Sequence, residues 1–198
     1  IPDHPDLRIG NGDYTIEFWV NLSGTGQGNP AGDFIIMDYR ANANDAGGWS
    51  FFVNVSDQGI GIDYANETSN WTAGIHTSAI ESTGRWYHFA VVQNTNTGNN
   101  GLLTLFRDGI SHASSTRLIS SGPASQEYQG LYIGGSYNNG TMTPDQTYMF
   151  NGKLDEIRIS KMARYTGEGI IDSDFPNPST EFGIQTEGST YGKWDTQV

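Results

Sequence analysis

The residues of this chain that could take part in catalysis lack the pairings that common hydrolytic mechanisms require. Glycoside hydrolysis needs two carboxyl groups on either side of the scissile bond. The nearest candidates, Asp155 and Glu156, are adjacent in a predicted strand and therefore point to opposite faces. The chain has no cysteine and no Gly-x-Ser-x-Gly nucleophile motif. Its histidines show no metal-ligand spacing, and His88, inside a strand pattern, is expected to be structural. The sequence therefore predicts that the protein is not an enzyme and has no catalytic residues.

Aromatic side chains in or beside predicted loops are candidates for binding sugar. A flat ring stacks on the apolar face of a pyranose, and nearby asparagine side chains can bond its hydroxyl groups. The predicted carbohydrate-binding residues are Trp71, Tyr64, Tyr137 and Tyr148. The alternative for each of them is a structural role in closing one end of the fold.

Asp155 is a candidate of a different kind. Strand alternation places it on the same face as Ile157 and Ile159, which is expected to be the core side. A carboxylate there must be offset by an arginine, backbone donors or a cation. A structural hydrogen-bonding role is the first interpretation, and a metal ligand is the second.

Composition narrows the set of partners. The net charge is −12, and the ten Lys and Arg residues are scattered, which argues against nucleic acid because a phosphate backbone needs clustered basic side chains. The same charge repels anionic membranes and attracts divalent cations, and no stretch is long enough to insert in a membrane. Exterior proteins of bacteria and viruses often lack disulfides, so the absence of cysteine does not imply a cytosolic origin. The chain opens at Ile1 without Met, so we expect it to be processed, trimmed or cut from a longer polypeptide.

The elements that must position these residues are strands. Apolar residues alternate with a period of two, as in Tyr14 to Val20, where Ile16, Phe18 and Val20 share one face. β-branched and aromatic residues dominate the other runs with this pattern. The further predicted strands are Phe34 to Met37, Trp49 to Val55, Gly59 to Tyr64, Trp86 to Val92, Leu102 to Phe106, Leu131 to Ile133 and Leu154 to Ile159.

Turn signals separate these strands. The Asn-Gly and Asp-Gly pairs at positions 100, 108, 139 and 151 supply the positive φ angles of tight hairpins. Only Ser160 to Tyr165 is predicted to form a helical turn. Recurring strands with turn signals between them, and the absence of strand–helix alternation, indicate an all-β antiparallel sandwich. Its predicted core is Ile16, Phe18, Phe51, Val53, Phe89, Val91, Leu105, Ile133, Ile157 and Ile159.

The pattern fades after Phe175. Residues 1–175 are therefore predicted to form one domain, and residues 176–198 a linker or an arm that packs on a neighbouring subunit. Such an arm carries too few apolar groups to fold alone. Trp194 is its only large anchor and is the predicted interface residue.

Five motifs resemble, in order, the laminin G-like and concanavalin A-like jelly-roll domains. The opening Ile1-Pro2-Asp3 with the strand through Val20 resembles the family's first strand, and Trp86-Tyr87-His88 its central strand. Leu105-Phe106-Arg107-Asp108-Gly109 resembles its hairpin, and Leu131 to Gly135 its late strand. The segment Phe150 to Ser160, followed by Ala163 to Thr166, resembles the closing strand and turn.

This resemblance implies an all-β, two-sheet antiparallel jelly-roll sandwich of about a dozen strands, which suits a chain of this length, and a rim calcium site. By position, the calcium ligands would be Asp45 and either Asn138 or Asn139, and the alternative is a solvated polar loop. No cofactor is required, and calcium is the ion that the family suggests. The closing segment is most similar to domains on bacteriophage virion proteins, such as tail fibres and capsid decoration proteins.

The predicted function is a non-catalytic structural or recognition module on the exterior of a virion, where it contacts proteins or a host surface. The alternative is a carbohydrate-binding lectin or adhesin module of a secreted or cell-surface bacterial protein. In both cases the domain is expected to be extracellular. Its expected partners are other virion or surface proteins and polysaccharide, within a homo-oligomer or larger assembly.

Overall fold

The computed structural model of this chain describes the greater part of residues 1–165. The described ranges are 1–8, 12–24, 34–40, 48–54, 59–65, 71–77, 82–96, 102–116, 130–137, 144–145 and 148–165. They include a short 3-10 turn at Pro5–Leu7, which Pro5 begins and the His4 side chain caps by accepting the Asp6 N–H.

The described ranges contain twelve strands, in agreement with the predicted all-β class. In chain order they are β1 Tyr14–Leu22, β2 Phe34–Arg40, β3 Gly48–Val53, β4 Ile60–Ala65, β5 Trp71–His76, β6 Trp86–Asn94, β7 Leu102–Arg107, β8 Ile110–Ser115, β9 Leu131–Ile133, β10 Ser136–Tyr137, β11 Pro144–Asp145 and β12 Gly152–Ser160. Sequence patterning missed four strands: β5 and β8, where glycine and a Ser-rich run interrupt the alternation, and the two-residue β10 and β11, which are too short to show one.

The strands form two five-stranded antiparallel sheets, which confirms the predicted sandwich. Sheet A has the order β12-β1-β6-β7-β8, and sheet B has the order β5-β4-β3-β2-β9. Strands β10 and β11 form a separate hairpin. The β7–β8 connection is the predicted tight turn, in which Asp108 and Gly109 have φ angles of 50° and 81°, as a type I′ hairpin requires.

The core lies between the two sheets. Phe18 of β1 packs edge-on against Phe51 of β3, with ring centroids 5.1 Å apart, and stacks on Phe89 of β6 at 6.1 Å. Seven predicted core residues are buried, and Ile157 and Ile159 pack against the core while partly exposed. The buried seven are Ile16, Phe18, Phe51, Val53, Phe89, Val91 and Leu105.

Ile133 was predicted to lie in the core, and this is wrong, since its side chain is 44% exposed. It occupies the last position of β9, a three-residue strand at the edge of sheet B. No further strand of the sheet lies beyond this edge to cover the side chain.

The predicted helical turn at Ser160 to Tyr165 is also absent. Ser160 ends β12, and residues 161–165 are irregular. The segment bonds to sheet A instead of to itself, because the Thr15 hydroxyl donates to the Met162 carbonyl at 2.8 Å and accepts the Arg164 N–H at 3.0 Å. It therefore covers part of the outer face of sheet A.

Candidate functional site

The outer face of sheet A contains a buried carboxylate. Glu17 alternates with the core residues Ile16 and Phe18, so its side chain points away from the core, yet it has no exposed surface. The Tyr165 hydroxyl donates to Glu17 Oε2 at 2.7 Å, and Arg158 Nε donates to Oε1 at 2.5 Å. His88 Nε2 lies 3.5 Å from Oε2. Every one of these partners comes from sheet A or from the segment that covers it.

These contacts keep Glu17 ionised. Burial by itself would raise its pKa, but the contacts with His88, Arg158 and Tyr165 outweigh burial and lower the pKa to about 2. A general acid must lie within hydrogen-bond reach of its substrate, and Glu17 has no exposed surface and is paired within the fold. Glu17 therefore fastens the segment 161–165 to sheet A and is not a catalytic acid.

Asp155 does not lie on the core side, so its predicted orientation is wrong. β12 carries a bulge, because Glu17 pairs with Arg158 and Trp19 with Asp155, leaving two β12 residues opposite Phe18. Glu156, with a φ of 49°, forms the bulge. The extra residue reverses the alternation, so Asp155 is exposed and its Oδ1 accepts the Glu156 N–H at 2.8 Å.

Sheet B presents a row of polar residues on its outer face. The register aligns Asp63 of β4 with Ser50 of β3, Ser50 with Asp38 of β2, and Asp38 with Tyr132 of β9. Ser50 and Asp38 are buried, and Asp63 accepts the Gly74 N–H at 2.8 Å. The row ends at the half-buried Tyr132, on the edge strand. Sequence analysis missed it, since only strand pairing places these distant residues side by side.

The four predicted carbohydrate-binding residues separate into two pairs. Tyr64 on β4 and Trp71 on β5 lie on adjacent strands at one edge of sheet B, where Tyr64 pairs with Thr72 and Trp71 with Ala65. Tyr137 on β10 and Tyr148 lie beyond the opposite edge, near β9 and β2. The fold therefore does not bring all four together.

Tyr148 of the second pair belongs to a region at the edge of sheet B that we call the β9 edge patch, whose residues are Tyr132, Ile133, Tyr148 and Met149. The Phe150 N–H donates to the Gly134 carbonyl at 3.0 Å, and this bond holds residues 148–150 beside the end of β9. Ile133 and Met149 are 44% and 48% exposed, and both tyrosines are half-buried. Aromatic and apolar side chains thus remain in contact with solvent at this sheet edge.

The predicted calcium ligands Asp45, Asn138 and Asn139, the arm 176–198 and its Trp194 lie outside the described residues. Within the described part of the chain, no group of three or more His, Asp or Glu side chains is arranged to hold a metal ion. None of the described helices could cross a membrane.

Comparison with solved structures shows what this sandwich is similar to. The carbohydrate-binding module CBM40 of the Ruminococcus gnavus IT-sialidase, solved with α2,3-sialyllactose, is 13% identical and superimposes with a TM-score of 0.58, covering 79% of this chain and 80% of that one. The heptameric SAP-like pentraxin of Limulus polyphemus is 16% identical, with a TM-score of 0.51, covering 77% of this chain and 65% of that one. The leech intramolecular trans-sialidase is 15% identical, with a TM-score of 0.53, covering 79% of this chain and 22% of that one.

The chain thus spans just under two thirds of the pentraxin, at 65%, and a smaller part of the trans-sialidase, at 22%. At these identities the likeness shows the fold alone. No curated protein sequence matches the chain. The laminin G-type model described as the concanavalin A-like lectin/glucanases superfamily matches residues 1–168. With its two antiparallel sheets and the five motifs in order, the chain belongs to the concanavalin A-like lectin/glucanase superfamily.

Proposed function

We propose that this domain is a non-catalytic recognition module and that the β9 edge patch is its contact surface. The observation that carries the proposal is the exposure of Ile133 and Met149 at the sheet edge that also carries the half-buried Tyr132 and Tyr148. Half-buried tyrosines at a sheet edge offer ring faces without a large loss of side-chain freedom. The buried carboxylate of Glu17 is held by hydrogen bonds within the fold and has a structural role, which supports binding over catalysis.

A polysaccharide is the first proposed ligand. Tyrosine rings stack on the apolar faces of sugars, and their hydroxyl groups bond to sugar hydroxyls. A carbohydrate-binding module with the same fold supports this choice. We place the module on the exterior of a virion or a cell, where its low charged fraction of 16% and net charge of −12 suit a polar, soluble surface.

Protein contact within a larger assembly is the second candidate. An isoleucine and a methionine that are both nearly half exposed favour it, because methionine is adaptable and apolar contacts drive association. The partner would then be another virion or surface protein, or a second copy of this chain.

A glycan array with the wild-type chain and Tyr148→Ala tests the first ligand. We expect binding to at least one polysaccharide and a loss of about tenfold in affinity for the variant, the scale of one stacking contact. For protein contact the test variant is Met149→Ala. Its matched control is Met162→Ala, since Met162 is 53% exposed on the segment that covers sheet A. Release of new reducing ends from any bound polysaccharide would contradict the non-catalytic role.

The same variants separate the two candidates. If the patch contacts protein, Met149→Ala weakens assembly in sedimentation experiments while Met162→Ala does not. If neither glycan binding nor assembly responds to Tyr148→Ala or Met149→Ala, the β9 edge patch is not the contact surface.

A further inference from the structure

A cluster of basic side chains lies at one end of sheet A. Arg85 precedes β6, Arg107 ends β7, Asp108 follows in the turn, and His112 lies on β8. The Tyr87 ring lies among them, with the guanidinium carbons of Arg85 and Arg107 at 4.6 and 6.0 Å from its centroid. We call these residues the arginine rim.

The carboxylate of the arginine rim is already fully engaged. Asp108 Oδ2 pairs with Arg85 Nη2 at 2.9 Å, and Oδ1 accepts the His88 N–H at 2.9 Å. Among the described residues Arg107 makes no ion pair, and its Nη1 is buried without a hydrogen-bond partner. The rim therefore holds two guanidinium groups and one carboxylate.

The excess positive charge of the arginine rim would be stabilised by an anion. A buried N–H of a charged group without an acceptor costs free energy, and two guanidinium groups near one ring repel each other. Stacking on Tyr87 offsets only part of this cost. Burial lowers the pKa of His112, the positive charge of Arg107 lowers it further, and the Asp108 carboxylate opposes both, so the charge of Arg107 reaches the neighbouring strand.

The rim is also open to a ligand. The Arg85 side chain is 59% exposed, so an anion from solvent can reach it directly. Guanidinium groups present a planar fork that matches a carboxylate in two parallel hydrogen bonds. An anion bound there would offset the excess positive charge of the rim and form an ion pair with Arg107.

We propose that the arginine rim binds the carboxylate of an acidic sugar, as a subsite separate from the β9 edge patch. The choice of a sugar rests on the proposed function. The choice of a carboxylate rests on the guanidinium groups of Arg85 and Arg107. It rests also on Asp108, whose two carboxylate oxygens already contact Arg85 and the His88 N–H. The domain thereby distinguishes acidic from neutral polysaccharides.

Isothermal titration of the full chain with oligogalacturonate and with its methyl ester tests this proposal. The ester keeps the sugar ring and removes the charge. We expect the acid to bind at least about tenfold more tightly, and Arg107→Gln and Arg85→Gln each to abolish most of that difference, because hydrogen bonds to charged groups are the stronger ones.

Lys161→Gln is the matched control. Lys161 is also exposed and ion-paired, to Asp6 at 3.2 Å, but it follows the end of β12 that pairs with Thr15, at the opposite end of sheet A. It should leave the preference for the acid unchanged. Thermal melts show whether each variant is folded, and the exposed Arg85 keeps the test usable if Arg107→Gln does not fold.

Equal binding of acid and ester, or an unchanged preference in both folded arginine variants, would overturn the proposal. Glycan binding that depends on Tyr148 but shows no preference for the acid would overturn it and leave the proposed function standing. A failure to bind any sugar on the array would overturn both this proposal and the polysaccharide as first ligand, and would leave protein contact at the β9 edge patch to be tested by sedimentation.

Discussion

Replacing Tyr165 by phenylalanine tests the account of the buried carboxylate most directly. Tyr165 is 5% exposed, and its ring packs on Phe106 with centroids 6.2 Å apart. Phenylalanine keeps this packing and removes only the hydroxyl that donates to Glu17 Oε2 at 2.7 Å. The same hydroxyl accepts a longer hydrogen bond from Arg158 Nη2 at 3.4 Å, so the substitution removes one short bond to a buried charge and one weak bond from Arg158.

The magnitude follows from the type of bond. A hydrogen bond to a charged group contributes roughly 1.5–3 kcal/mol, and Glu17 has no exposed surface from which water could replace it. We expect Tyr165→Phe to lower the free energy of unfolding by about 2 kcal/mol. For a domain of this size that lowers the melting temperature by about 4–8 °C.

Urea unfolding of the wild type and the variant between pH 7 and pH 2 adds a second readout. The folded-state pKa of Glu17 is about 2, below its ordinary value of 4.5, so ionised Glu17 stabilises the fold fully above pH 4.5. This stabilisation is lost as the pH falls toward 2. The difference between wild type and variant should therefore be constant near neutral pH and shrink in that window.

Tyr148→Phe is the control, since Tyr148 is half-buried on the surface and its change should stay within about 0.5 kcal/mol. A Tyr165→Phe variant as stable as Tyr148→Phe at pH 7 would refute the structural role of the hydroxyl. A difference that does not change with pH would show that Glu17 is not the group concerned.

Three further predictions concern the sheets and the parts of the chain outside the described residues. Gly74→Ala should lower the free energy of unfolding, measured in urea, by about 1–3 kcal/mol, because the added Cβ would lie 1.8 Å from the Ile62 carbonyl oxygen. The matched Gly12→Ala, with open space around its Cβ, should be nearly neutral, and equal effects would contradict the close approach. A calcium site at Asp45 and Asn138 predicts a higher melting temperature in millimolar calcium than in chelator, and equal temperatures would count against it. Deletion of residues 177–198 should leave the sandwich folded and weaken assembly in sedimentation, and unchanged assembly would contradict the arm.

The alternation of residues in the sequence was sufficient to predict the architecture. In β1 and β6 each second residue is large and apolar, and burying one face of such a strand is the strongest constraint on its orientation. The Asp108-Gly109 pair likewise defined its hairpin, because few other residue pairs adopt two positive φ angles. Both features depend on residues that are close together in the chain, so they can be predicted from the sequence alone.

Tertiary structure alone decided where several side chains point. The bulge at Glu156 turns Asp155 outward, and no local pattern marks the insertion of one residue opposite a neighbouring strand. Ile133 belongs to an alternating strand, but its exposure depends on β9 being the edge of sheet B. Strand order is a property of the whole sheet, which period-two patterning does not contain.

The burial and pairing of the polar side chains depend on tertiary contacts even more strongly. Glu17 and Tyr165 are separated by 148 positions, and only the docking of the segment 161–165 turns an apparently solvent-facing carboxylate into a buried one. Arg85 and Arg107 reach the same tyrosine ring because β6 and β7 are paired. Burial and pairing of charges arise from residues far apart in the chain, so the sequence by itself determined the sandwich, and the fold decided its sites.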